Sequence, residues 1–184
     1  TGCAGLEFID LRNCFNGANL NASYMFANTA ATSDGRPAYG ACTKVSSNIV
    51  LTFGQGSGAN LSYMMSNTST DASLASANAS ASIQSVGNGS SANMSYMFNN
   101  ANRLKRIDFS SVGANANMQR IYNNCYSLVT VYWTTVGTNS AASFNYAFYN
   151  VAGSNDYVPA GTNAYYQLNN VGTLGANVSE IFRY

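Results

Sequence analysis

Apolar residues spaced three and four positions apart recur along the chain, each group closely following an Ala-Asn or Ala-Ser pair. In Met94, Met97 and Phe98 this spacing places the apolar side chains on one face of a short helix. The Asn or Ser before each group can cap the helix, because its side-chain oxygen accepts a backbone N–H left without a partner. The six predicted helix starts are Ala18-Asn19-Leu20, Ala59-Asn60-Leu61, Ala92-Asn93-Met94, Ala116-Asn117-Met118, Ala142-Ser143-Phe144 and Ala176-Asn177-Val178.

A second asparagine position follows two residues after the last apolar residue of most of these segments. Asparagine tolerates the left-handed backbone conformation that often ends a helix, so this position predicts where each helix stops. In the first segment Met25 and Phe26 come late, which indicates two extra residues, Asn21 and Ala22. The predicted helix ends are Asn28, Asn67, Asn100, Asn124 and Asn150.

The segments before the predicted helices carry a different apolar pattern, which matches the strand motif of leucine-rich repeats. In such a strand the alternating apolar side chains point inward and the residues between them face outward. The clear copies are Leu104-x-x-Ile107-x-Phe109-x-x-Val112, Leu128-x-x-Val131-x-Trp133-x-x-Val136 and Leu6-x-x-Ile9-x-Leu11-x-x-Cys14, and the weaker ones are Ala81/Ile83/Val86, Tyr166/Leu168/Val171 and residues 48–53.

The two patterns alternate, and Met94 and Met118 stand 24 residues apart at equivalent positions. This distance lies within the leucine-rich-repeat period of roughly 20–29 residues. No single unit can bury its apolar edge alone, so neighbouring units must stack. We therefore predict an α/β fold: one leucine-rich-repeat-like solenoid over residues 1–184, with about six strand–helix units and a parallel sheet on one face. Because neither end carries an evident cap, we expect this solenoid to be a piece of a larger chain or assembly.

Composition excludes several classes of function. Charged residues make up 8% of the chain and the net charge is +1, so a nucleic-acid partner is not expected. The chain contains no run of apolar residues long enough to span a membrane. It also contains 0 histidines, which removes the commonest general base and metal ligand. We predict no enzymatic activity, no cofactor and no metal site.

A tyrosine position recurs between two core positions of the predicted helices, so its side chain should point outward or along the stack. One interpretation is a structural ladder of stacked rings, with an arginine over a ring face. The other is an aromatic strip that contacts another subunit or a sugar. This position is occupied by Tyr24, Tyr63, Tyr96, Arg120, Tyr146 and Glu180.

The outward residues of the predicted strands form a second candidate surface. They are polar, nearly uncharged and include a tyrosine, which suits hydrogen bonding to a neutral glycan; the alternative is a solvated sheet face. These residues are Asp10, Arg12, Ser82, Gln84, Asp108, Ser110, Tyr132, Thr134, Gln167 and Asn169.

The cysteines are predicted to be small buried residues, since free cysteine is among the most buried residue types. Cys3 and Cys42 precede strands of adjacent units, and the spacing of neighbouring strands would allow a disulfide between them. No CxxC spacing suggests zinc.

The segments Asn93-Met94-Ser95-Tyr96-Met97-Phe98 and Tyr122-Asn123-Asn124-Cys125-Tyr126-Ser127-Leu128 resemble the leucine-rich-repeat surface proteins of the BspA type. The resemblance covers most of the chain and is strongest over residues 92–137. It implies a repeat solenoid displayed outside the cell as an adhesin. Similar repeats in bacteriophage structural proteins imply a virion location instead.

These observations favour a non-enzymatic protein of surface recognition, adhesion and assembly, located outside the cell, on a cell surface or on a virion. The alternative is a structural component of a bacteriophage virion or extracellular filament, such as a decoration, fibre or receptor-binding protein. Its expected partners are other protein subunits, including copies of itself, or a glycan. The candidate binding residues are Tyr24, Tyr63, Tyr96, Tyr146, Arg120, Asp108, Tyr132, Gln167 and Asn169.

Overall fold

The computed structural model of the chain describes residues 17–25, 27, 50–53, 57–66, 79–86, 91–101, 104–137, 142–151, 163–172 and 175–183, with the backbone alone in 50–53, 79–86 and 104–105. The strand predicted over residues 6–14 and the predicted positions of Cys3, Cys14 and Cys42 lie outside these ranges.

A parallel five-stranded sheet runs through the described residues. Within this sheet, each strand pairs with the next strand along the chain. Because the strands are parallel, every connection runs from the end of one strand back to the edge of the sheet where the next strand begins. A second, two-stranded parallel sheet joins β5 (Phe148–Tyr149) to β7 (Phe182–Arg183). The large sheet comprises, in order, β1 (Val50–Phe53), β2 (Ala79–Val86), β3 (Leu104–Val112), β4 (Thr130–Val136) and β6 (Tyr165–Leu168).

The strand pattern decides which side chains are buried. Val131, Trp133 and Val136 of β4 are buried, and Ile107 and Phe109 occupy the matching places of β3. Residues between them, such as Arg106 and Thr134, are exposed. The sheet therefore has a core-facing side and an outer side.

A second ladder of parallel bridges links neighbouring units away from the sheet. We call its members the anchor residues: Asn21, Asn60, Asn93, Asn117, Ser143 and Asn177. At each step the residue after one anchor donates its N–H to the carbonyl of the next anchor. The N–H of that next anchor donates to the carbonyl of the residue that precedes the first anchor. Met94 thus donates to Asn117 at 2.7 Å, and Asn117 donates to Ala92 at 2.8 Å.

The pairing corrects the predicted register of the first unit. Asn21, and not Asn19, pairs with Asn60, 39 residues further along the chain. Ala22 then takes the buried place that Leu61 holds in the next unit. Asn21 and Ala22 are therefore not extra residues, and Asn19 lies two residues before its anchor in a left-handed conformation.

The segments predicted as helices are turns, followed in the last two units by the short strands β5 and β7, and the described residues contain no helix. Every second backbone N–H of a turn segment donates to a carbonyl of the neighbouring unit: Phe98 donates to Ile121 and Asn100 to Asn123, at 2.9 and 2.8 Å. The others close four-residue turns, as when Met97 donates to Met94. Such turns still bury the residues at spacings of three and four, which is why the apolar pattern suggested helices.

The anchor asparagines cap these turns rather than helices. The side-chain oxygen of Asn93 accepts the backbone N–H of Ser95 at 3.2 Å and its hydroxyl at 2.8 Å. Asn60 does the same for Ser62. This is the Asx-turn geometry that asparagine favours in turns.

The left-handed conformation predicted for the second asparagine position is confirmed at Asn100, Asn124 and Asn150, with φ of 58°, 59° and 52°. Their amides form a chain across three units. Asn124 donates to Asn100 at 2.9 Å, and Asn150 donates to Asn124 at 3.0 Å. Asn28 and Asn67 lie outside the described residues.

The largest buried side chains of the core between the sheet and the turns are aromatic. Trp133 is fully buried, and its indole N–H donates to the hydroxyl of buried Tyr122 at 2.9 Å. Cys125 is also buried, and its thiol donates to the carbonyl of Phe98 at 3.0 Å. Burial raises the pKa of both Tyr122 and Cys125, so both stay neutral in the folded chain.

Candidate recognition surface

The predicted tyrosine position forms a stack of rings that crosses the units. The rings of Tyr24 and Tyr63 lie 4.9 Å apart with planes 1° from parallel, and those of Tyr63 and Tyr96 lie 4.9 Å apart at 4°. Burial and the two neighbouring phenols raise the pKa of Tyr63. These three tyrosines have φ of 53–56°, a conformation that bulky residues rarely adopt. The ring contacts help to hold the backbone there.

Arg120 continues this column in the unit after Tyr96. Its guanidinium lies 5.0 Å from the ring centre of Tyr146, 5.3 Å from that of Tyr149 and 5.9 Å from that of Tyr96. Its buried Nε has no hydrogen-bond partner among the described residues, so cation–π contacts with these rings hold the guanidinium in place. At the far end Arg183 donates to the Tyr146 hydroxyl at 3.2 Å and pairs with Glu180.

The geometry of this column favours the structural-ladder interpretation. Ring faces within the stack are covered by neighbouring rings or by Arg120, so they are not open to a ligand. Tyr24, at the end of the described stack, is 51% exposed. The binding role of this column stays a prediction.

The outward side chains of β3, β4 and β6 come together on the other candidate surface. Parallel pairing places Asp108, Tyr132 and Gln167 side by side across the three strands. We call this surface the outer sheet face and define it by Arg106, Asp108, Tyr132, Tyr165, Gln167 and Asn169.

Contacts among these side chains order the outer sheet face. Arg106 donates through Nε and Nη2 to one oxygen of Asp108, at 3.1 and 2.9 Å, and lies 4.7 Å above the Tyr132 ring. The rings of Tyr132 and Tyr165 have centres 5.7 Å apart and planes tilted by 54°. The result is two tyrosine rings beside a neutralised ion pair.

Polar groups continue this surface along β6. The Tyr165 hydroxyl donates to the Gln167 side-chain oxygen at 3.2 Å. The Gln167 amide lies 3.5 Å from the Asn169 oxygen, at the limit of a hydrogen bond. Carboxamides oriented in this way offer both donors and acceptors to a ligand.

Sequence reasoning missed Arg106 and Tyr165. Both pair with Thr130 across neighbouring strands. Arg106 lies two residues before Asp108, Thr130 two before Tyr132, and Tyr165 two before Gln167, so all three occupy the preceding outward position of their strands. Extending the alternation by one step would have found them. Ser110 and Thr134 are exposed as expected, whereas Asp10, Arg12 and the side chains of Ser82 and Gln84 are not among the described residues.

The chemistry open to this surface is stacking and hydrogen bonding. In the part of the chain that the structure describes, no three Cys, Asp or Glu side chains gather into a metal-binding group. The Asp108 carboxylate is engaged by Arg106. The described ranges also contain no helix with the length and apolar character needed to cross a membrane.

No protein-family model, curated protein or solved structure matches the chain. The functional assignment therefore depends on the geometry of the described residues.

Proposed function

We propose that the chain is a non-enzymatic recognition and adhesion protein, built as one leucine-rich-repeat-like solenoid and displayed outside the cell or on a virion. The solenoid proposal is supported by the parallel strands and by the anchor residues, which link successive units in the same way at every described step. A stack of this kind offers a wide, rigid surface for binding.

The observation that carries the proposal is the outer sheet face. Tyr132 and Tyr165 place aromatic rings beside the amides of Gln167 and Asn169. Aromatic rings pack against the C–H faces of a sugar, and amides hydrogen-bond its hydroxyls. Because Arg106 and Asp108 neutralise one another, the surface suits a neutral glycan better than a phosphate-bearing ligand.

The test is binding of the folded chain to an array of neutral glycans. Replacing Tyr165, which is 55% exposed, with alanine should weaken binding of any glycan that the wild-type chain retains by about tenfold, because it removes a stacking contact. Tyr132→Ala should weaken binding less, because Arg106 lies over the ring of Tyr132. Ser110→Ala is the matched control, since Ser110 is exposed on β3 but contributes no ring. Circular dichroism should show all three variants folded.

A blank array for the folded wild-type chain would contradict the glycan assignment. Equal binding by the wild-type and tyrosine variants would place the recognition surface elsewhere on the molecule.

A structural role in a virion or filament is the second candidate. It is favoured by a different observation: only 8% of the residues are charged, and a weakly charged, tyrosine-rich surface costs little free energy to desolvate against another subunit.

A further inference from the structure

Arg120, in the middle of the tyrosine column, differs from the other arginines whose side chains the structure describes, because it has no acidic partner. Arg106 pairs with Asp108 at 2.9 Å. Arg183 pairs with Glu180. Arg120 forms no ion pair and no side-chain hydrogen bond in the described part of the chain. It therefore carries a positive charge that the described residues do not neutralise.

The guanidinium of Arg120 is held by rings but open at its outer edge. Nε is buried, whereas the terminal Nη1 and Nη2 are not buried and have no acceptor within the described ranges. The ring centres of Tyr146 and Tyr149 lie 5.0 and 5.3 Å from the guanidinium carbon. These contacts fix the planar fork in one orientation. Its terminal N–H donors are thus ordered in advance and accessible to a ligand.

The repeat pattern changes in the two units around this charge. Arg120 takes the place that tyrosine holds in the units on either side. In the other described units a serine two residues after the anchor bonds its hydroxyl to the anchor oxygen. Gln119 and Asn145 stand at that position here, and the N–H of Arg120 donates to the carbonyl of Asn145 at 3.1 Å. The changes therefore add two carboxamides close to Arg120 along the backbone.

The open edge of the guanidinium fits a carboxylate. Two N–H donors of the fork match the two oxygens of a carboxylate in a bidentate pair. A single unpaired charge suits a ligand whose carboxylates are separated from one another, as in an oligosaccharide of uronic acids. A peptide of adjoining acidic residues would call for several unpaired basic side chains, and the described part of the column offers one. Carboxamides such as those of Gln119 and Asn145 can bond sugar hydroxyls.

We propose that Arg120 binds the carboxylate of a uronic-acid sugar, with Gln119 and Asn145 bonding the hydroxyls of the same glycan. The rings of Tyr146 and Tyr149 hold the guanidinium in place, so the column keeps its structural role while Arg120 recognises the ligand. The site lies in the turn segments and does not use the outer sheet face. It therefore adds an acidic ligand class to the neutral one proposed above and is independent of that surface.

Titration calorimetry with a short oligogalacturonate tests this site. The folded wild-type chain should bind the oligogalacturonate, and it should bind the methyl ester of the same oligosaccharide at least about tenfold more weakly. The ester keeps the sugar rings and hydroxyls but loses the charge, so the comparison isolates the carboxylate. Binding of the charged ligand should also weaken as the salt concentration is raised.

Arg120→Tyr is the most informative variant, because Tyr96 and Tyr146 hold the equivalent positions at a similar positive φ. It should fold, as circular dichroism would show, and should lose the preference for the charged ligand. Arg120→Lys keeps the charge without the fork, so its affinity should lie between those of the wild-type chain and Arg120→Tyr. Arg183→Gln is the matched control: it removes the same charge from an arginine already paired with Glu180, and it should bind like the wild-type chain.

Equal affinity for the oligogalacturonate and its ester, or no binding of either by the folded wild-type chain, would overturn the proposal. A preference for the charged ligand that survives Arg120→Tyr, or unchanged affinity in Arg120→Lys, would do the same. A wild-type chain that binds a glutamate peptide but not the oligogalacturonate would overturn the assignment to a sugar. The array of neutral glycans reports on the outer sheet face and the comparison with the ester reports on Arg120, so the two proposals fail separately.

Discussion

Replacing Trp133 with alanine is expected to lower the free energy of unfolding by about 3–5 kcal/mol, the cost typical of removing a buried aromatic side chain. The indole is fully buried, and its ring centre lies 5.4 Å from that of Phe148 and 5.6 Å from that of Phe144. Its removal leaves a cavity between sheet and turns. It also removes the donor to the Tyr122 hydroxyl, which leaves a buried polar group without its bond.

The neighbouring residue supplies the matched control. Tyr132 is of similar size but points outward, where it contacts Arg106 and Tyr165. Tyr132→Ala should cost no more than about 1 kcal/mol, as expected for partly exposed ring contacts. Urea unfolding followed by circular dichroism measures both changes. Equal costs for the two variants, or a larger cost for Tyr132, would show that β4 does not face the core as described.

Replacing Asn124 with alanine is expected to lower the free energy of unfolding by about 2–3 kcal/mol. The substitution removes the amide bonds to Asn100 and Asn150, each worth about 1 kcal/mol. It also leaves a side chain with a Cβ at a φ of 59° without the local hydrogen bonding that helps asparagine there, which adds about 1 kcal/mol.

Glycine at the same position separates these two contributions. Asn124→Gly loses the same amide bonds but accepts the left-handed backbone freely, so it should cost about 1 kcal/mol less than Asn124→Ala. The two variants can be compared by the same urea unfolding measurement. If alanine proved as stable as glycine, the left-handed conformation at Asn124 would be contradicted.

The inward face of the strands could be predicted from the sequence. Val131, Trp133 and Val136 are buried at the positions that the leucine-rich-repeat spacing specifies, and Ile107 and Phe109 match them. This part succeeds because burial in a strand depends on alternation, which is a local property of the sequence. The left-handed asparagines could be predicted for a related reason, since few other residues tolerate that conformation.

The turns could not be distinguished from helices in the same way. A helix and a series of four-residue turns bury the same positions, so Met94, Met97 and Phe98 fit both. What separates them is where the N–H groups go, and Phe98 donates to Ile121 in the next unit. Such a bond depends on residues far along the chain. The register of the first unit was wrong for the same reason, because only pairing with Asn60 identifies Asn21 as the anchor.

The candidate surfaces were predicted in part. Sequence spacing grouped the tyrosine column, but the choice between a structural ladder and an open strip depended on ring distances that spacing does not give. On the outer sheet face, Asp108, Tyr132 and Gln167 follow from alternation. Arg106 completes the surface by bonding Asp108 within β3 and by lying over Tyr132, and the contact with Tyr132 exists only once β3 and β4 are paired.

The central claim is that each unit is bonded to the next through its backbone, turn residues included. NMR measurement of scalar couplings across hydrogen bonds in the isotope-labelled chain tests it directly, because the coupling identifies the carbonyl that each N–H contacts. The structure predicts that the N–H of Phe98 is coupled to the carbonyl of Ile121 and that of Met94 to the carbonyl of Asn117. A coupling from the N–H of Phe98 to the carbonyl of Met94 would instead indicate a helix closed within one unit, and would contradict the account.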